Sequence, residues 1–202
     1  MGQTSEARSM YDGAGGTAVG KSDQLNTVKR VFDVVNMWPK VNDPALEERV
    51  REFIMTAGPD EFLRMHRAAF DTVGPYLFED DKIQSVIDDF EGRRIGFSIR
   101  KLYEATVTVE YLRFRVEPGI EPGVPVMWCA SRQDYADAML GGRDPFVMVL
   151  TRRIGATRMT TLLKWWLPHF DVLISEDVMD KYSSIQPDID RAMKAHLAAM
   201  GY

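Results

Sequence analysis

The chain is nearly devoid of cysteine. Cys129 stands alone among 202 residues, so no disulfide can close within the chain, which fits a reducing compartment and a cytoplasmic setting. The run around it, Val126-Met127-Trp128-Cys129-Ala130, reads the thiol as a small buried hydrophobe. Long apolar runs are missing too. None approaches the length of a membrane-spanning helix, so no transmembrane segment is expected. The opening MGQTSEARSM has no apolar stretch, so no secretory signal is expected, and Gly2 departs from the myristoylation pattern because Glu6 stands where serine or threonine belongs.

Excess positive charge is also absent. With 25 Lys and Arg against 30 Asp and Glu, the net charge is −5 and the pI about 5.3, which argues against nucleic acid as a partner. The charge is unevenly spread: residues 1–92 carry 10 basic and 17 acidic side chains, 93–164 carry 12 and 7, and 165–202 carry 3 and 6. The middle stretch is therefore basic, either to face acidic parts of the same chain or to hold an anionic head group. Histidine is scarce. His66, His169 and His196 are far apart and none has metal-ligand spacing. Asp80-Asp81 and Asp88-Asp89 read as helix-start and solvent-face charges, since adjacent residues on a helix do not converge. No G-x-S-x-G elbow is present. No cofactor or metal is expected, and an enzyme is not indicated, although dispersed catalytic residues would leave no local mark.

What is present is a change of period. Residues 1–22 are polar and glycine-rich and form a flexible tail. Leu25, Val28, Phe32 and Val35 then share a helical face. Asp43-Pro44 caps and opens a second helix with Leu46, Val50, Phe53 and Ile54 inward, ended by Gly58. Pro59 opens a third, with Phe62, Leu63, His66, Phe70 and Val73 inward. Asp80 or Asp81 caps a fourth, carrying Ile83, Val86, Ile87 and Phe90, with Gly92 as its stop. The period then becomes two: Ile95, Phe97 and Ile99 alternate, as do Val107, Val109 and Tyr111. The phase slips to Leu112, Phe114 and Val116, which predicts a turn or bulge near Tyr111. A further strand is expected over 125–130.

Ser131 caps a short helix with Tyr135, Ala138 and Met139 as its face, and Asp144-Pro145 starts another. In MTTLLKWWLPHF, Met159, Leu163, Trp166 and Phe170 share a face. A final amphipathic helix carries Ile189, Ala192, Met193, His196, Leu197 and Met200. The expected organisation is a tail (1–22), a helical region (23–92), an α+β domain with a small, mostly antiparallel sheet covered by helices (93–170), and a C-terminal helical extension (171–202).

Gly15-Gly16-Thr17-Ala18-Val19-Gly20-Lys21-Ser22 matches the phosphate-binding G-x-x-x-x-G-K-[ST] pattern. Such a loop must leave a buried strand, and Glu6–Asp12 contains no apolar run. The nearest candidate for a strand ending in a magnesium-binding aspartate is Val172-Leu173-Ile174-Ser175-Glu176-Asp177, which is imperfect. The α/β alternation of that fold is missing. A softer signal is the crowding of Met127, Trp128, Met139, Met148, Met159, Trp165 and Trp166. Flexible thioethers and large rings suit an adaptable apolar pocket, and equally a methionine-rich core. The adjacent Trp165 and Trp166 point about 100° apart on a helix, so both cannot be central in one face.

The stretch from Gly92 to about Phe170 resembles the sterol carrier protein type-two domain family. An amphipathic helix precedes Arg94-Ile95-Gly96-Phe97-Ser98-Ile99. Ser131-Arg132-Gln133-Asp134, followed by Gly141-Gly142-Arg143-Asp144-Pro145, is similar to that family's S-x-x-D and G-x-x-D-P segment. Arg153-Ile154-Gly155-Ala156-Thr157 resembles its short final strand, and Leu162–Phe170 its closing helix. The resemblance implies a five-stranded sheet with an apolar tunnel between sheet and helices, and non-enzymatic binding or transfer of a sterol, fatty acid or acyl-CoA. The helical first 90 residues and the last 30 lie outside the pattern.

The expected pocket residues are Phe97, Val109, Phe114, Met127, Trp128, Met139, Met148, Met159, Leu163, Trp166 and Phe170, with Arg113, Arg115, Arg152 and Arg153 at an anionic head group. The alternatives are a nucleotide-binding enzyme using Gly15–Ser22, or an interaction subunit meeting a partner protein or a second copy through its outer helices.

Overall fold

A computed structural model describes Val41 and residues 43–202. The glycine-rich Gly15–Ser22 motif and the amphipathic segment Leu25–Val35 lie outside the described residues. The first described helix, α1 (Pro44–Thr56), begins where the Asp-Pro pair predicts. Asp43 Oδ1 accepts the backbone N–H of Ala45 at 2.9 Å and proline occupies the first turn, which needs no such donor. Helix α2 (Pro59–Phe78) follows at once, because Gly58 serves as its N-cap and its N–H is taken by Glu61 Oε2 at 2.7 Å. Helix α3 (Asp81–Asp88) is capped by Asp80, whose carboxylate accepts the N–H groups of Lys82 and Ile83.

The strands are β1 (Arg94–Ile99), β2 (Tyr103–Glu110), β3 (Arg113–Pro118), β4 (Val126–Cys129) and β5 (Ile154–Ala156), in the order β3-β2-β1-β4-β5. All neighbours pair antiparallel except β1 with β4, which run parallel. The five-stranded, mostly antiparallel α+β architecture is the one expected. The phase slip at Tyr111 is the two-residue turn Tyr111–Leu112 between β2 and β3, with Leu112 at φ 54°. Helix α4 (Arg132–Met139) follows β4. Helix α5 (Pro145–Leu150) precedes β5, and α6 (Met159–Trp166) follows it. A 3-10 turn (Leu167–His169), the short α7 (Phe170–Leu173) and the long α8 (Glu176–Met200) complete the described chain. The segment Val172–Asp177 is therefore the end of α7 and the start of α8, not the strand that a nucleotide-binding reading requires.

Registered partners share a face of the sheet. Ile95, Phe97 and Ile99 of β1 sit opposite Val107, Ala105 and Tyr103 of β2, and Val109 and Val107 oppose Phe114 and Val116 of β3. Helix α2 lies across β3 and β2 on this face. The resulting core joins Leu46, Phe53 and Ile54 of α1, Phe62 and Met65 of α2, the inward residues of β1 to β3, Ala136 of α4 and Leu197 of α8. Each buried side chain of this size contributes about 1.5–3 kcal/mol. Three of the four expected segments thus share one core. Two smaller clusters lock α3 to α8 through Ile83, Val178, Tyr182 and Ile185, and α3 to α7 and β2 through Val86, Phe90, Leu173 and Val109.

The opposite face is polar and is closed partly by the loop after β3. Thr106 donates its hydroxyl to Gly119 O at 2.8 Å and accepts Glu121 N at 3.0 Å. Ile120 presses so closely on Gly96 that a Cβ there would lie 2.9 Å from its Cδ1, which is why β1 carries a glycine at that position.

Candidate apolar ligand site

The helices cover the sheet unevenly. Over β2 the cover is complete: Ala105 is 0% exposed and Val107 5%. Over β4 and β5 it is not. Met127 shares the face of Phe97 by register with β1, and Ala156 shares it by register with β4. Met127 is 44% exposed, and Ile154 and Ala156 are only half-buried.

The stretch of chain around β4 and β5 is also rich in exposed apolar side chains. Ten large hydrophobic side chains are exposed among the described residues, and seven of them fall between 127 and 167: Met127, Met139, Val147, Leu150, Met159, Trp166 and Leu167.

Helix α6 is the element most directly involved. Its buried residue is Leu162, whereas the expected face Met159, Leu163, Trp166 is half-buried to exposed. It runs directly into the 3-10 turn that follows it, and its Trp165 packs against the cluster of Val86, Phe90, Val109 and Leu173. Its anchor is at its end: the Trp166 ring lies 4.8 Å from that of Phe90, and Trp165 lies near the Arg93 guanidinium, 5.2 Å from centroid to Cζ. Pro168 in the following turn has no N–H to extend the helix.

On the α2 side the floor is bounded by rings. His66 meets Phe97 edge-on at 5.2 Å and its Nδ1 lies 2.8 Å from the Tyr103 hydroxyl. Desolvation lowers the His66 pKa to about 4, and burial raises that of Tyr103. The imidazole is therefore neutral at physiological pH and shares a hydrogen bond with the Tyr103 hydroxyl. Desolvation also pushes the Cys129 thiol up to about 12, so it is not a nucleophile. No group of three or more His, Cys, Asp or Glu that could hold a metal occurs among the described residues.

The expected pocket residues distribute as follows. Phe97 and Met127 line the incompletely covered face, with Met159, Leu163 and Trp166 on α6. Met139 is 54% exposed at the end of α4, and Phe170 is half-buried at the start of α7. Val109 is buried in the cluster with Phe90, and Phe114 is half-buried between Phe70 and Phe78. Met148 is fully buried at 0% exposure. Trp128 points to the other face by alternation, where Arg100 stacks on it at 4.0 Å and Gly155 lies beneath it.

The four arginines are not brought together. Arg113 and Arg115 lie on the polar face and are paired with Glu110 and Glu117. Arg153 is paired with Asp134 at 2.8 Å, and Arg152 occupies a turn at φ 55°. The α4 face also differs from expectation. Asp134 and Asp137 are the buried residues, neutralised by Arg153 and Arg143, while Met139 faces out. Two carboxylates that can each reach an arginine outcompete the apolar side chain for the inward position. Sequence reasoning missed Arg93, Val147, Leu150 and Leu167. Arg93 was readable from the alternation Arg93, Ile95, Phe97; the other three, in short helices of undecided facing, were not.

Two shallow clefts lie elsewhere, on α2. One of about 610 Å³ is formed with α8 by Thr72, Pro75, Tyr76, Asp188, Arg191 and Ala192 among others. The second, of about 490 Å³, is formed with β3 by Phe70, Gly74, Phe78, Leu112 and Phe114 among others.

No helix among the described residues is long and apolar enough to cross a membrane. No family model matches the sequence, and no curated protein matches it. Among solved structures, the chain is similar to one described as UbiJ-SCP2 ubiquinone synthesis protein, with 5% identity, 50% of this chain and 87% of that chain covered, and a TM-score of 0.35.

Proposed function

We propose that the protein binds a hydrophobic small molecule against the β4–β5 half of the sheet, under α6. The observation that carries this reading is Met127, 44% exposed on a sheet face that the helices leave partly uncovered, within the stretch 127–167 that holds seven of the ten exposed large hydrophobic side chains among the described residues. Met127, Met139 and Met159 are all exposed in this stretch, and methionine's flexible thioether adapts to ligands of differing shape. A sterol, a fatty acid or an acyl-CoA offers the extended apolar surface that such a site takes up, and the role is carriage or storage without chemistry. Neither the neutral His66, already bonded to Tyr103, nor the thiol of Cys129 is poised as a base or nucleophile.

Native mass spectrometry of the purified chain, before and after extraction with organic solvent, is the direct test. The expected result is an adduct of lipid mass that extraction removes and that added fatty acid or sterol restores. A chain that carries no adduct and whose tryptophan emission is indifferent to every added lipid would end this reading.

A further inference from the structure

Arg93 stands out among the cations near this site. Its backbone is clamped: the N–H donates to Phe90 O at 2.9 Å, and the carbonyl accepts Val109 N at 3.1 Å. Strand alternation places its side chain on the face of Ile95 and Phe97. The guanidinium carbon lies 4.7 Å from the centroid of Phe90 and 5.2 Å from that of Trp165. Nη1 is shut off from solvent and has no hydrogen-bond partner among the described residues.

Neighbouring arginines are treated differently. Arg94 is paired with Glu121, Arg113 and Arg115 with Glu110, Arg143 with Asp137 and Arg153 with Asp134. Two aromatic faces attract a cation but offer no acceptor to its in-plane N–H groups. A shielded charged donor without an acceptor is costly.

We propose that Arg93 receives the head group of the ligand, and that the ligand is therefore an acyl-chain amphiphile ending in an oxyanion. This rests on the apolar-site reading above and names its ligand class. Trp165 belongs to α6, so displacement of that helix strips one ring from the guanidinium and uncovers Nη1. The adjacent Trp166 stands at the end of a helical stripe that continues through the half-buried Leu163 to the exposed Met159. An amphiphile entering there lays its chain along the stripe and brings a carboxylate or phosphate to Arg93, whose planar fork matches either anion with two hydrogen bonds. No covalent step is involved.

The experiment compares sodium palmitate, hexadecyl phosphate and methyl palmitate, all below their aggregation concentrations, by calorimetry on the full chain. Wild type is expected to bind at least one of the anions about tenfold or more tightly than the ester. The tighter anion names the head. Arg93→Gln is expected to abolish the preference for anion over ester, and Arg93→Lys, which keeps the charge and loses the fork, to reduce it at least threefold. Equal affinity of wild type for anions and ester, or a preference that survives intact in Arg93→Gln, overturns the head-group assignment and leaves the apolar site standing. Failure of all three to bind wild type removes both. Should Arg93→Gln not fold by thermal melting, an undiminished preference in Arg93→Lys is the overturning result.

Discussion

At the scale of single residues, His66 ties the stability of the fold to pH. Its folded pKa, lowered by desolvation to about 4, lies below the ordinary imidazole value of 6.5. The unfolded chain therefore takes up a proton that the folded protein resists. The contribution is complete above pH 6.5 and is lost as the pH falls from there toward 4. The carboxylates of Asp43, Asp80, Asp134 and Asp177 are held below their usual value by their partners, so their contribution is lost only at more acid pH. Urea midpoints at pH 7.5 and 5 are expected to drop for wild type and to drop less for His66→Gln. Parallel drops would assign the acid sensitivity elsewhere.

Two further residues make predictions of opposite sign. A Cβ on Gly155 would lie 2.7 Å from Cζ2 of Trp128, a ring already pinned by Arg100. Gly155→Ala should destabilise by about 1–3 kcal/mol, the scale of overpacking, read by chemical denaturation. Leu112 is exposed in the left-handed region at φ 54°. There a side chain costs about 1–2 kcal/mol, part of which glycine's greater unfolded freedom takes back. Leu112→Gly is expected to be neutral or stabilising by up to about 1 kcal/mol, and a clear loss of stability would show that Leu112 packs more than its exposure indicates.

At the scale of elements, α6 is held mainly at its C-terminal end, where Trp165 and Trp166 meet Arg93 and Phe90. It buries Leu162 alone, and its N-cap residue Arg158 lies at φ 48° with no side-chain cap. Local opening of such a segment falls well below global unfolding. Trp166→Ala should weaken lipid binding by about 1–3 kcal/mol, with Lys164→Ala as the silent control. A loss of folding stability with unchanged affinity would instead make Trp166 ordinary packing.

The elements themselves were largely legible, because their signals are local: Asp43, Asp80, Ser131 and Asp144 cap the helices whose starts they announce. The phase slip at Tyr111 fell in the β2–β3 turn for the same reason. Facing was less legible. The α4 inward face was misread because Asp134 and Asp137 are buried only by virtue of Arg153 and Arg143, which are distant or later in sequence. Trp128 and Met127 were grouped by composition although alternation separates them across the sheet. Arg113 and Arg115 looked free because their partner, Glu110, lies across a turn that pattern alone does not pair.

At the scale of the whole molecule, a ligand that binds only the folded state must raise its melting temperature. At free ligand one hundred times Kd the gain is about 2.7 kcal/mol, and a chain of this size shifts by roughly 2–4 °C per kcal/mol. A rise of roughly 5–10 °C with saturating lipid is expected by scanning calorimetry, and an unmoved transition would contradict binding at that affinity.

The last described residues also close the first described helix. Arg49 donates to the carbonyl of Tyr202, whose ring meets Phe53 at 5.2 Å, and Leu197 is buried with Leu46 and Ile54. The Arg49–Tyr202 contact spans 153 residues. At about 5–20 residues per second on the ribosome, roughly 8–30 s separate the synthesis of its two ends. Throughout that interval the inward face of α1 lacks the part of its cover that α8 supplies, so a nascent chain stalled or truncated before residue 197 leaves Leu46 without Leu197 and Phe53 without the Tyr202 ring, for whatever chaperone meets it first.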